Sequence, residues 1–527
     1  MPMPRTSVIG LRLAAAGAVV ALGLTVAPST AAPAAPKPVG SPAADCRARL
    51  AGLDLQTTTV TQLQDAMKKG RLSSRALSAA YLGRIRAYDR TTNSVRVVSP
   101  TALQEADRLD RERRAGTVRG PLHGIPVLLK DNIGTRTVPT TAGSIALEGN
   151  LPKQEAFVTQ RLRAAGAVVL GKTNLSEFAN WMSLGMPNGY SSLGGQVLNA
   201  YNEGDPSGSS SGSGVAGSMA FATATLGSET SGSILSPSEV NGLVGVKPTL
   251  GLTSRAGVIP LAASFDVVGP MTRNVTDAAA VLTAIAGPDP RDAATAGVEP
   301  ADYLKGISGA SLKGVRLGYD TGFEGDPTFD QALEDLRALG AVLVGDDLGF
   351  TGTVGLAGLT ELGEIPNEFK TGLNDYLRTE AGPLKSGVKT LSDIIAFNEK
   401  DPERVKYGQN LLEASDTQPG VYAATAGPVE VTRASTRAAI EGALLRDDLD
   451  AIVAPGPAYA NVGAAAGYPT VIVPAGTVAD DTRAEGLSFL GTAFDEADLL
   501  RYAAAYEKGT QRRVPPTVGN PEIIRGC

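Results

Sequence analysis

Histidine is almost absent from this chain of 527 residues: His123 is the only one. No histidine-rich metal site can form, and a Ser-His-Asp triad would have to be built on that single side chain. Cysteine is nearly as scarce, with Cys46 and Cys527 at opposite ends of the sequence. Paired in an oxidising compartment, they would tie the termini together, a bridge worth roughly 5–6 kcal/mol in the loop-entropy picture. The alternative is two unrelated terminal thiols. Positive charge is not in excess either: 48 Lys and Arg against 54 Asp and Glu leave a net charge of −6. No basic stripe stands out, which argues against a surface for nucleic acid or an anionic membrane. The apolar run at 13–26 is too short and too rich in Ala and Gly for a membrane span.

That run sits where an export signal would. Arg5 and Arg12 flank its start and small residues follow it, so residues 1–31 read as a signal peptide cleaved near Ser29-Thr30-Ala31. The Pro/Ala-rich residues 32–44 read as a tether, which leaves 45–527 for the fold of an exported, extracytoplasmic protein. A composition of 43% hydrophobic and 19% charged residues suits a globular protein with a substantial core.

Along the remaining chain, helical periodicity is predicted at 59–69, 74–89, from Pro100 to Gly116, and at 157–165, 215–224, 277–286 and 499–507. Short, fully apolar segments at 125–129, 167–170, 243–246, 342–344, 452–454 and 471–473 predict buried strands. Alternation of the two implies an α/β fold with a largely buried sheet. Residues 350–430 are more polar and mostly helical, a candidate cap over the core.

Three motifs compete for attention. Residues 166–173 match the phosphate-loop pattern GxxxxGK[ST], with Lys172 as its lysine. The four middle positions are Ala-Val-Val-Leu, a strand whose N–H groups belong to a ladder rather than to a phosphate cradle. Gly208-Ser209-Ser210-Ser211-Gly212 matches the GxSxG elbow, with Ser210 as nucleophile. That scheme needs its histidine later in the chain, and His123 comes earlier. The bland reading of 207–214 is a flexible linker. Against it, the run passes straight into an Ala-rich helical segment, and a second Gly/Ser cluster at 227–233 follows that segment. Two such clusters around one buried helix predict a shaped site with backbone donors.

Taken in order, Gly124-Ile-Pro126 with Lys130-Asp131-Asn132, then Pro206 to Ser213, then Gly227-Ser-Glu-Thr-Ser-Gly-Ser233-Ile, resemble the amidase signature family. Supporting matches lie at 170–177 and 242–249, and near the C-terminus at 450–455, 467–469 and 489–492. Within that family the chain is most similar to exported bacterial peptide amidases, through His123-Gly-Ile-Pro126, Thr141-Ala-Gly-Ser144 and Ser233-Ile-Leu235. The resemblance implies one large domain with a mixed, twisted, many-stranded sheet wrapped by helices. It implies Lys130 as base, Ser209 as a bridging serine that follows a cis peptide, and Ser233 as nucleophile. Backbone N–H groups of Thr230, Ser231, Gly232 and Ser233 would form the oxyanion hole. Asp131, Asn132 and Ser211 are either hydrogen-bonding neighbours of this triad or simple turn residues. Departures from the family pattern are Ser207, where glycine is usual, Ser231, where Gly or Asp is expected, and Asp480-Asp-Thr-Arg483 in place of an apolar stretch.

The implied reaction is hydrolysis of a carboxamide to carboxylate and ammonia through an acyl-enzyme, with a peptide or small-molecule amide as substrate and no metal or organic cofactor. An unperturbed lysine is neutral only about once in 2,500 molecules at pH 7, a penalty of roughly 4.6 kcal/mol. Burial on an apolar strand has to lower it for Lys130 to act. Without the serine clusters, Lys130 would read as a salt-bridge partner of Asp131. Phe178 and Trp181 are candidates either for a pocket wall or for the core. Alternatives for function are amidases acting on aliphatic, aryl or fatty amides, a subunit resembling those that make glutaminyl-tRNA, and a binding protein on the same scaffold.

Overall fold

Why the short apolar segments become strands is plain once they are assembled: every residue of the central ones is buried on both faces, as a helix-covered sheet requires. The computed structural model describes residues 48–421, 426–477 and 483–524. The expected signal peptide, the tether, Cys46 and Cys527 lie outside the described residues. Those described fall within one compact unit, Asp45–Cys527.

Eleven strands make one sheet. In chain order they are β1 (Val95–Val98), β2 (Pro126–Lys130), β3 (Val168–Thr173), β4 (Ala224–Glu229), β5 (Val244–Lys247) and β6 (Val267–Thr272). They continue with β7 (Arg316–Asp320), β8 (Val342–Asp346), β9 (Ala451–Pro455), β10 (Thr470–Thr477) and β11 (Ala484–Leu490). Across the sheet the order is β8-β7-β9-β11-β10-β5-β6-β4-β2-β3-β1. β2 lies between β3 and β4 and is parallel to both, whereas β6 runs antiparallel to β4 and β5. The sheet is therefore mixed, an α/β architecture.

Helix starts follow their capping chemistry. Thr59 and Gln62 form a capping box at Val60–Lys68, and Ser73 and Asn274 cap Ser74–Thr92 and Val275–Ile285. Pro100 is not in a first helical turn, because the third helix starts at Ala102 after Thr101. The helix expected at 215–224 is displaced: it spans Ser211–Ser218, inside the Ser/Gly run, and the Ala-rich residues after it turn at Ala220 (φ 51°) into strand β4. In the 350–430 region the described residues form helices Phe350–Thr379, Leu391–Asn398 and Asn410–Asp416. They build a second apolar core with Phe178 and Trp181, the Phe178 and Phe369 rings meeting edge to face at 5.6 Å. Glu368 on the long helix ties it to the sheet side by accepting from the Ser264 amide at 2.9 Å and its hydroxyl at 2.5 Å.

Candidate active site

The ends of β2 and β4 and the start of the helix Ser211–Ser218 converge on one point. Lys130, the last residue of β2, is completely buried. Its Nζ lies 2.8 Å from Ser209 Oγ, 3.0 Å from Ser228 O and 3.0 Å from Ser228 Oγ. Burial brings its pKa down from 10.5 to about 7, against the raising effect of the carboxylates of Asp266 and Glu229. A neutral amine has two N–H bonds and one lone pair. With both N–H bonds spent on Ser228, the lone pair faces the Ser209 hydroxyl.

Ser209 follows a cis peptide from Gly208 and is also fully buried. The adjoining Ser210 amide donates to Ser233 O at 3.2 Å, which stitches the first Gly/Ser cluster to the second. Ser233 is 8% exposed and Ser209 and Lys130 are at 0%, so exposure falls from the expected nucleophile to the expected base. Gly212 shows why the run is no linker. A Cβ there would lie 2.4 Å from both Asn174 O and Ser94 O, so only glycine lets the helix approach the neighbouring chain.

The loop after β4 is shaped from below by Glu229. Its carboxylate accepts from the amides of Ile234 (2.6 Å) and Leu235 (3.0 Å). Burial pushes the Glu229 carboxyl up, while Lys247 opposes the shift. Gly232 adopts φ 78°, a left-handed conformation that favours glycine. Of the four donors expected for an oxyanion hole, the Gly232 amide is the one that also helps to lower the Glu229 carboxyl. Among the described residues no acceptor is hydrogen-bonded to the amides of Thr230, Ser231 or Ser233. Thr230 Oγ1 donates to Asp266 Oδ1 at 2.6 Å, and Asp266 Oδ2 accepts from the amides of Leu261 and Ala262 at 2.8 and 3.0 Å. Burial raises Asp266 to about 6, against these hydrogen bonds. Burial pushes the Glu361 carboxyl, on the long helix Phe350–Thr379, up to about 8, with the Ser231 hydroxyl opposing the shift.

Asp131 turns away from Lys130. It pairs with Arg96 at 2.6 Å and Lys172 at 3.3 Å and accepts a short hydrogen bond from Thr141 Oγ1. The salt-bridge reading of Lys130 and Asp131 is therefore wrong. Asn132 Nδ2 donates to Ser228 Oγ at 2.8 Å, one bond from the lysine, and Ser211 Oγ donates to Ser207 O at 2.5 Å. Ser207 itself sits at φ 58°, which explains why glycine is usual there. Lys172 of the phosphate-loop-like sequence lies inside β3, donating to Ile133 O at 2.6 Å and Thr140 Oγ1 at 3.0 Å. The Ser210 hydroxyl donates to Ser228 O at 3.1 Å.

His123 is at the other end of β2 from Lys130, a strand about 13 Å long. Its Nε2 donates to Leu109 O at 3.0 Å and Nδ1 accepts from the Arg119 amide at 3.3 Å, so both ring nitrogens are engaged in packing. Burial holds its pKa below the usual value. Sequence reasoning missed Ser228 and Asp266. Ser228 was visible in the second cluster, but Asp266 meets Thr230 from 36 residues further on and carries no local signal.

The amidase family model matches residues 76–345. A probable amidase of Arabidopsis thaliana is 38% identical over 88% of this chain and 92% of its own. The crystal structure of native peptide amidase from Stenotrophomonas maltophilia is 43% identical, with a TM-score of 0.81 over 87% of this chain and 98% of that one. A glutamyl-tRNA(Gln) amidotransferase chain from Geobacter metallireducens is 35% identical over 87% of this chain and 98% of its own. A family model over half of the chain, and relatives of 38% and 43% identity over most of both chains, place it plainly: the chain belongs to the amidase signature family of hydrolases.

Proposed function

We propose that the protein hydrolyses C-terminal carboxamides of peptides to the free carboxylate and ammonia, with Ser233 as nucleophile, Ser209 as bridge and Lys130 as base. The observation that carries this is the fully buried Lys130, held near pKa 7 with Nζ 2.8 Å from Ser209 Oγ. Ser233 Oγ bonds to the amide carbon. Its proton passes to Ser209 Oγ, which gives its own to Lys130 Nζ. The developing oxyanion is met by the amides of Thr230, Ser231, Gly232 and Ser233. The proton returns through Ser209 to the departing NH₂, the C–N bond breaks, and ammonia leaves an acyl-Ser233 ester. Water then repeats the sequence, losing a proton to the same relay, and releases the carboxylate.

The likeness to a peptide amidase, at 43% identity over nearly all of both chains, supports the peptide substrate. Residues 1–31, read as an export signal, support action outside the cytoplasm, on peptides rather than on a tRNA-bound intermediate. The test is ammonia release from amidated peptides, free aliphatic amides and aryl amides, with Lys130→Ala, Ser209→Ala, Ser233→Ala and His123→Ala beside wild type. Peptide amides should be turned over best and the first three variants should be inactive. Turnover that survives Lys130→Ala and vanishes in His123→Ala would sink the relay. Equal turnover of all amide classes would sink the peptide preference, and ammonia released only in the presence of a partner protein would favour the amidotransferase-like reading.

A further inference from the structure

Beside the oxyanion loop lies a cavity of about 180 Å³. Its wall at the catalytic end is Asn132, Ser228 and Thr230, the residues that hold Lys130's acceptor and begin the oxyanion loop. The rest is mainly apolar, with Val258, Pro260, Leu261, Val267 and Val268 on its sides. For scale, an apolar cavity of about 150 Å³ is enough to bind benzene.

Charged groups do reach the wall, but none is free. Arg255 gives Nε to Asp292 Oδ2 at 2.9 Å and Nη2 to Oδ1 at 2.5 Å, and its Nη1 to Ala263 O. Arg291 is held by Asp289 at 3.3 Å and Gln154 at 3.2 Å. Asp266 already takes Thr230 and two backbone amides. Two cations and two carboxylates line the cavity, so its charge cancels. A charged substituent entering it would lose water and find no unpaired opposite charge; the one unpartnered buried acceptor on the wall, Asn132 Oδ1, is neutral.

We infer that this cavity is the acyl-side specificity pocket, and that it takes an apolar side chain of leucine or phenylalanine size from the residue bearing the amide. The inference rests on the carboxamide hydrolysis proposed above. It sets the preference among substrates of that reaction, in which the bonds made and broken are unchanged.

The experiment measures kcat/KM for ammonia release from N-acetyl amides of Gly, Ala, Leu, Phe, Asp and Lys. Each buried methylene is worth roughly four-fold. The leucine amide should exceed the alanine amide by on the order of 50-fold, with the Asp and Lys amides at or below alanine. Ala256→Leu and, separately, Ala263→Leu narrow the cavity from two places on its wall. In each, the ratio of leucine to alanine amide should fall to within about three-fold of one, and because a ratio is read, a general loss of activity does not matter. Ammonia from every amide at similar rates in wild type overturns the pocket and leaves the hydrolysis standing. So does a leucine preference that both narrowed variants retain. No ammonia from any amide overturns the hydrolysis itself. The wild-type panel decides alone should a narrowed variant not fold.

Discussion

Replacing Lys130 by methionine should abolish activity and stabilise the fold, and the stabilisation should fade as pH rises. Lys130 has a pKa of about 7 in the folded chain against 10.5 for an ordinary lysine. Between those values the unfolded chain binds more protons, so stability rises with pH there. The whole penalty, about 5 kcal/mol, applies below pH 7, and none remains above the unfolded value. At pH 7 about 4 kcal/mol is still in force, and at pH 9 about 2 kcal/mol. Methionine has similar bulk and no charge to desolvate. It removes a hydrogen-bond partner from Ser209 Oγ, Ser228 Oγ and Ser228 O, but Asn132 still donates to the Ser228 hydroxyl at 2.8 Å and Ser210 to its carbonyl at 3.1 Å. That loss should cost about 1–2 kcal/mol. Lys130→Met is therefore expected to be about 2–3 kcal/mol more stable than wild type at pH 7, an advantage that shrinks by about 2 kcal/mol at pH 9. Urea unfolding of both proteins at pH 7, 8 and 9 measures the difference, which cancels other titrating groups. A variant less stable at pH 7, or an advantage that does not change with pH, would refute a desolvated base.

Three further outcomes are expected. In wild type, kcat/KM should rise through an apparent pKa of about 7 as Lys130 loses its proton, and the His123→Ala profile should overlay it; a limb that moves with His123 would contradict the assignment. Asp266→Asn keeps an acceptor for Thr230 but removes the charge that raises Lys130, so the acid limb should move to lower pH, and a limb unmoved or moved upward refutes the coupling. Glu229→Ala frees the amides of Ile234 and Leu235; kcat should fall by about 10²–10³ with a smaller change in KM, and a pure KM effect would show that the loop's shape does not serve the transition state.

Much of the site was readable because its chemistry is local. A lysine ending a wholly apolar strand has to be buried, and one histidine among 527 residues leaves few other bases. What escaped is what the sequence contradicts. Gly269 and Pro270 argue against a central strand, yet β6 runs through both and pairs Pro270 with Leu226. The helix predicted at 215–224 ran on because its stop carries no glycine: the chain reverses at Ala220 in a left-handed conformation that an alanine seldom takes. Contacts such as Thr230 to Asp266 and Ser231 to Glu361 join distant segments and leave no spacing to read.

Some of these left-handed exceptions gather beside the site. Phe178, Ala179 and Asn180 are three consecutive left-handed residues without a glycine, and Ser207 is another. Asn180 Nδ2 lies 3.2 Å, and Ser176 Oγ 2.7 Å, from where a Cβ on Gly208 would stand, so the left-handed run packs against the residue before Ser209. Non-glycine residues in that region each cost about 1–2 kcal/mol and persist where the surrounding structure over-determines them. Here the surroundings do: Phe178 is locked by Ala142 O and the Phe369 ring, and Asn180 by Asn188 at 2.9 Å. The second apolar core therefore does more than add a helical layer. By holding this strained loop against Gly208, it fixes the backbone that sets Ser209 beside Lys130, which is why the helices at 350–416 belong to the site although none supplies a reacting atom.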